Sequence, residues 1–298
     1  MKSFDPSSMH VRDLHGLLLG AVGPRPIALA STINKNGVPN LSPFSFFNVF
    51  SANPPLLIFS PARRGADNTT KHTYENVKSV PEVVVNIVNY DITYQMVLSS
   101  ANYPEGVNEI EKAGFTALDS DHIRPKRIAE SPVQFECIVK QVIELSDGPA
   151  AGNLVLAEVV KIHVHEDILT DQGKIDQYKI DLVGRMGGDT YVRATGDNLF
   201  EISRPNDDNI GVDKLPKDIR LSNILSGNDL AKLANESMAS IPDETEVNEY
   251  KLIELASLFM EHEANAPELE KALHQRAKDL ISVGNMADAW KTLLTFND

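Results

Sequence analysis

A chain of 298 residues, 42% hydrophobic and 23% charged, has the make-up of an ordinary globular protein, with length for one large domain or two smaller ones. Its formal net charge of -14 and pI near 5.0 exclude a general binder of nucleic acid or anionic membrane, which would set an excess of Lys and Arg against phosphate. The single Cys137 excludes an intrachain disulfide and suits a reducing, cytoplasmic compartment.

The chain opens polar and then runs Leu17-Leu18-Leu19-Gly20-Ala21-Val22, too short to span a membrane. Gly23-Pro24-Arg25-Pro26 follows instead of a small-residue cleavage site, so no export signal is expected. Asp13 is placed to cap a short helix over residues 14–19. Residues 27–33 are β-branched and apolar and stop at Asn34-Lys35-Asn36-Gly37. Asn-Gly tolerates the positive φ of a tight turn, which predicts a hairpin. Beyond it, Asn40-Leu41-Ser42-Pro43-Phe44-Ser45-Phe46-Phe47-Asn48 crowds hydroxyls and amides beside aromatics, a lining suited to a flat ligand. Residues 56–60 give a third strand, and residues 61–73 a polar loop that gathers Arg63, Arg64 and Lys71. In so acidic a chain that cluster points to an anion, the competing reading being a solvated loop.

Residues 73–78 predict a short helix closed by Pro81, residues 82–88 a buried strand, and residues 91–101 and 107–113 two helices, the second ending at Gly114. Residues 133–145 and 154–164 are the longest strand candidates, and the Ser131-Pro132 start suits a sheet edge. Cys137 lies where apolar and polar residues alternate and reads as a core thiol, not a nucleophile. His163 and His165 have the spacing of a metal pair on one strand face, but nothing nearby completes a ligand set, so an exposed strand end is expected and no metal. After Arg204-Pro205 the composition shifts to Asn206-Asp207-Asp208-Asn209, a linker, and then to helical periodicity. An earlier helix near residues 229–237 precedes three apolar stripes. These are Leu252, Leu255, Ala256 and Phe259; Leu269, Leu273, Ala277 and Leu280; and Met286, Ala289, Trp290 and Leu293.

Pro24-Arg25-Pro26-Ile27-Ala28-Leu29 with Ser31-Thr32, then Asn36-Gly37, Asn40 and Pro43-Phe44-Ser45-Phe46-Phe47-Asn48, then Asn53-Pro54-Pro55-Leu56 and Phe59-Ser60, stand in an order that resembles the flavin reductase-like family of FMN-binding split-barrel flavoproteins. Lys71-His72-Thr73-Tyr74-Glu75-Asn76 is similar to that family's Lys-Asp-Thr-x-x-Asn segment. The resemblance implies a mainly β fold, an FMN-binding split β-barrel with peripheral helices over residues 1–205. A small C-terminal α-helical bundle of open role, residues 206–298, follows it. It further implies FMN as cofactor, NAD(P)H as co-substrate, and a homodimer.

FMN needs donors for a phosphate, polar groups along ribityl, and a flat slot for the ring. Ser31, Thr32, Ser42, Pro43, Phe44, Ser45, Phe46, Asn48 and Ser60 are the candidates for the wall and ring, and Arg63, Arg64, Lys71 and Thr73 for the phosphate. Gly187, Gly188 and Tyr191, in a segment similar to the family's late Arg-x-Gly-Gly-x-x-Tyr, are assigned to the pocket edge, a plain tight turn being the alternative. Hydride chemistry belongs to the cofactor, so no catalytic side chain is singled out. Two departures stand out: His72 where relatives have Asp, and Ala151-Gly152-Asn153 where monooxygenase-feeding reductases carry Gly-Asp-His. The second weakens the nicotinamide assignment more than the FMN one. The alternatives are an FMN-binding protein without pyridine-nucleotide reductase activity and an interaction protein working through its helical tail.

Overall fold

The computed structural model describes residues 1–202, 204–205 and 211–296, so the segment read as a linker, residues 206–209, lies outside the described residues. The chain divides into two compact units, Met1–Phe200 and Glu201–Asp298. No helix among the described residues is long and apolar enough to cross a membrane.

The strands of the first unit are β1 (Ala28–Ile33), β2 (Pro39–Phe44), β3 (Phe47–Ala52), β4 (Pro55–Phe59), β5 (Glu82–Ile87) and the short β6 (Ala117–Leu118) and β7 (Arg127–Ile128). They continue with β8 (Val133–Glu144), β9 (Asn153–Val164), β10 (Leu182–Arg185) and β11 (Tyr191–Ala194). Seven of them form one antiparallel sheet in the order β2-β1-β5-β8-β9-β4-β3. Its two edges, β2 and β3, are consecutive in the chain and joined only by Ser45 and Phe46. Laid flat, six strand spacings would part those edges by about 29 Å. The three Cα steps from Phe44 to Phe47 reach at most about 11 Å. The sheet therefore rolls up, and β2 and β3 meet at one end without a ladder between them. That is a partly closed barrel.

Period-two alternation sorts the side chains. Ala28 and Ala30 of β1 face the barrel interior with Phe44, Phe59, Val83, Val85, Cys137 and Val155, while Ile27 and Leu29 face outward onto Ile92, Met96 and Ile110. With both faces covered, every residue of β1 is buried. The outer cover is α3 (Thr93–Ser99) and α4 (Glu109–Lys112), and α2 (His72–Ser79) sets Val77 into the interior. The hairpin turn falls at Asn34–Gly37 as the sequence predicts, with φ of 80° at Gly37.

Three local expectations need correction. β8 is an inner strand between β5 and β9, because Pro132 precedes its first residue and its missing N–H leaves no gap in the ladder. The first helix, α1 (Val11–Ala21), is capped by His10, whose Nδ1 accepts the Arg12 N–H at 3.2 Å, and Asp13 lies within its first turn. β3 is a separate strand that the sequence reading ran together with β2.

The second unit is helical: α5 (Lys217–Arg220), α6 (Gly227–Ala234), α7 (Glu244–Glu254), α8 (Ala256–Glu261), α9 (Ala266–Ser282) and α10 (Met286–Leu294). Leu233, Ala277, Ile281, Trp290 and Leu293 share one core, and Leu255, Leu269 and Leu273 another. The stripe through Leu252 breaks at Leu255, where α7 ends and α8 begins, and Leu252 stands in solvent at 76% exposure.

Candidate functional site

Two of the candidate segments are joined at the barrel's seam. The Ser60 N–H donates to the Phe46 carbonyl at 2.9 Å, which ties the end of β4 to the β2–β3 corner. Ser42, Pro43 and Ser45 are half-buried there, and Phe46 and Asn48 are exposed. Phe44 is not part of that surface: it is buried in the barrel interior, 5.5 Å from the Phe59 ring centre. His15 of α1 meets Phe46 edge-on at 6.3 Å.

Arg25, which the sequence marks only as the basic residue of Pro24-Arg25-Pro26, governs this corner. Arg25 is buried, and its guanidinium donates to Ser45 Oγ at 3.3 Å, to the Leu19 and Met186 carbonyls at 2.8 Å each, and to the Val22 carbonyl. It closes the end of α1 and holds Ser45 at once. Its signal in the sequence was a guanidinium between two prolines beside an apolar strand.

The cationic loop begins at Ser60, also buried. Ser60 Oγ accepts the Asn153 N–H at 3.0 Å, Asn153 Nδ2 donates to the Pro61 carbonyl at 3.0 Å, and the Arg63 N–H donates to the Ala151 carbonyl at 2.9 Å. A Cβ on Gly152 would lie 3.1 Å from Ser60 Oγ and 3.3 Å from Leu145 Cδ1, so this approach requires glycine or a yielding neighbour. Ala151-Gly152-Asn153 is thus the latch of the loop. Arg63 braces it from within, donating to Asn68 Oδ1 at 2.8 Å and to the Asn68 carbonyl at 2.7 Å. Arg64 does the same toward Thr69 Oγ1 at 3.0 Å and the Thr70 carbonyl. Lys71 is different. Among the described residues its half-buried ammonium has no hydrogen-bond or ion-pair partner, and burial, then Arg64, push its pKa below the usual lysine value despite Asp67.

The remaining candidates lie deeper. Thr32 and Thr73 are wholly buried in a network in which Asn40 Nδ2 donates to Thr73 Oγ1 at 2.9 Å and Asn76 Nδ2 to Thr32 Oγ1 at 3.0 Å. These hydroxyls bind α2 to the β1–β2 hairpin. Ser31 is equally buried, and its Oγ has no hydrogen-bond partner among the described residues. Gly187 and Gly188 make the tight turn between β10 and β11, where a Cβ on Gly187 would meet Gly20 of α1 at 3.1 Å. Tyr191 lies under the Arg185 guanidinium, 4.5 Å from its ring centre.

Cys137 is fully buried, and burial, then Glu136, push its thiol far above the ordinary range, so it is no nucleophile. His163 is not at an exposed strand end: its Nε2 lies 2.7 Å from Glu136 Oε1, within ligand spacing of Asp121. Glu136 is buried and accepts the Asp121 and His122 N–H groups at 2.8 and 2.7 Å beside His163. The sequence hid this group because its members come from β8, β9 and a loop.

Residues 21–179 match the family described as flavin reductase like domain. The chain belongs to that family. An uncharacterized protein of Aquifex aeolicus is 39% identical over 63% of this chain and 94% of its own length. The crystal structure of nitrilotriacetate monooxygenase component B from Bacillus cereus superposes with a TM-score of 0.63 at 31% identity, covering 68% of this chain and 98% of that one. A putative flavin reductase with split barrel domain from Shewanella frigidimarina gives 0.58 at 25% identity, over 68% and 100%. The flavin reductase family's split-barrel members are flavin-binding proteins, and the helical unit lies beyond the matched residues.

Proposed function

We propose that this member of the flavin reductase family binds FMN and is an NAD(P)H-dependent oxidoreductase, moving hydride to FMN and electrons on to free flavin or another acceptor. The observation that carries the reading is Lys71. An unpartnered, half-buried ammonium crowded by Arg64 is costly unless an anion completes it, and it lies on the braced loop that is tied to the β2–β3 corner. The donor set fits FMN: Lys71, with spare N–H groups of Arg63 and Arg64, would hold the phosphate, and Ser42, Ser45, Phe46 and Asn48 would border the ring. When bound, FMN supplies the hydride chemistry. The chain's own part is to orient and to exclude water, and Arg25 contributes by holding Ser45.

One observation favours a second reading, an FMN protein that does not use pyridine nucleotide. Asn153, where monooxygenase-feeding reductases have His, is 1% exposed and occupied by Ser60 and Pro61. The absorption spectrum of the purified protein tests the cofactor, and anaerobic mixing with NADH or NADPH separates the readings. Rapid bleaching supports the reductase; a yellow protein that keeps its colour supports the second; a protein that stays colourless with added FMN overturns both. We also propose a cytoplasmic homodimer. Leu17, Leu18, Val49 and Phe50 of α1 and β3 are exposed apolar residues on a helix with no buried side chain and on a sheet edge, which a second copy would cover.

A further inference from the structure

A cavity of about 90 Å³ opens between the tip of the β1–β2 hairpin (Val38, Asn40), the face of α2 that carries His72, Glu75 and Asn76, and the loop into α4 (Glu105 to Glu109). A site for one water needs about 10–15 Å³ by this measure, so there is room for a group of several heavy atoms. Three of its lining side chains are more than nine-tenths buried: Asn40 at 7% exposure, Asn76 at 6% and Glu109 at 5%. The NH2 groups of both amides are committed to Thr32 and Thr73. Glu109 Oε2 accepts the Leu41 N–H at 3.0 Å. Among the described residues Asn40 Oδ1 and Asn76 Oδ1 accept from no donor, and the Glu109 carboxylate accepts only from the backbone N–H groups of Leu41 and of Glu109 itself, so all three side chains keep acceptor capacity at the cavity. Glu75 and Glu105 add negative charge at the lining, and no Lys or Arg contributes to it.

We infer that this cavity is a second binding site, taking the N–H-rich end of a small organic cation, a primary ammonium or guanidinium group. Such a group supplies several donors and one positive charge, which match the acceptors of Asn40, Asn76 and Glu109 and the carboxylates beside them and which His72 alone does not provide. A metal ion fits less well, since it draws ligands to about 2.0–2.6 Å of one point. Among the described residues the only three His, Cys, Asp or Glu ligand atoms that close together are those of Asp121, Glu136 and His163. Burial raises the Glu109 pKa above the ordinary carboxylate value, its hydrogen bonds and His72 offsetting this only in part, and a bound cation would favour its charged form. The inference does not depend on the flavin reading.

The test is calorimetry and thermal melting of the full chain with methylguanidinium and propylammonium chlorides. Tetramethylammonium, sodium and magnesium chlorides at equal ionic strength are the controls. Saturable binding and a raised Tm with the two N–H donors only are expected. Glu109→Gln keeps an acceptor for Leu41 and should weaken binding about tenfold or more, the scale of one charge-assisted hydrogen bond. Val107→Phe fills the cavity without touching a polar group and should abolish binding; it decides the matter if Glu109→Gln does not fold. Equal stabilisation by tetramethylammonium or magnesium, binding unchanged in folded Val107→Phe, or no saturable binding by either donor overturns the site.

Discussion

Arg64 and Lys71 repel each other across the loop that follows β4, and Asp67 offsets this at Lys71 in part. A lysine whose folded pKa is depressed disfavours folding below that pKa, and the penalty lifts as pH rises toward the unfolded value near 10.5. A bound phosphate dianion reverses the sign. Lys71→Ala should weaken FMN by roughly ten- to a hundredfold while barely changing riboflavin affinity, as read by flavin fluorescence titration. Lys71→Met should raise the Tm of the flavin-free protein and lower that of the loaded one. Equal loss for both flavins would show that Lys71 supports the fold instead.

Asn153 links strand β9 to the loop through a buried amide. Asn153→Ala leaves the Pro61 carbonyl without that donor, at a cost of about 1–3 kcal/mol. We expect a Tm lower by several degrees and an FMN affinity reduced with it. A lower Tm with unchanged FMN affinity would confine the latch to stability.

How far the sequence disclosed this arrangement depends on how local each signal was. The Asn34–Gly37 turn, α2 and the long β8–β9 pair were legible because their cues lie within a few residues. β3 was not, since Ser45-Phe46 carries no turn chemistry and Phe46-Phe47-Asn48-Val49-Phe50 reads as one strand with what precedes it. Lys71 was legible as a cation, but its isolation was not, because that depends on Arg63 and Arg64 turning to Asn68, Thr69 and Thr70. Thr32 and Thr73 have the composition of ligand contacts, and their bonds to Asn76 and Asn40 are invisible without the packing of α2. The same is true of Glu136 and His163.

Cys137→Ala should leave flavin reduction by NAD(P)H unchanged in a folded, flavin-loaded protein, and an aromatic disulfide reagent should not label the native thiol. Both follow from a thiol with no exposed surface and a pKa raised by burial. Fast native labelling, or a reduction rate lost with flavin retained, would contradict this.

Glu136 offers an acid-sensitive lock. Burial raises its carboxyl, but the Asp121 and His122 N–H groups and His163 outweigh that and bring it below the ordinary 4.5. A depressed carboxylate stabilises the fold above its unfolded pKa and loses that contribution as pH falls through the folded value. Glu136→Gln should therefore have a lower Tm than the wild type at pH 7, and the gap should narrow as pH falls below the unfolded value of 4.5 and through the lower folded one. A gap independent of pH would mean the loss is one of shape.

Phe50 is 63% exposed on the free edge of β3. If a second copy covers that edge, Phe50→Glu should convert a dimer in light scattering into a monomer with its circular dichroism intact. A wild type that is monomeric at micromolar concentration would remove the basis for the pairing.

The two-residue corner at Ser45 and Phe46 has a consequence for the order of assembly. The hairpins on either side of it, β1 with β2 and β3 with β4, are adjacent in the chain yet belong to opposite ends of the sheet, and each relies on later strands for its inner partner: β5 for the first, β9 for the second. During synthesis neither inner edge can be covered by its own neighbour, and β4 waits until residues 153–164 have emerged. The inner edge of β1 thus waits 49 residues, from Ile33 to Glu82, and that of β4 waits 94, from Phe59 to Asn153, making the interval before β9 arrives the period when this barrel is most open to mispairing and to chaperone capture.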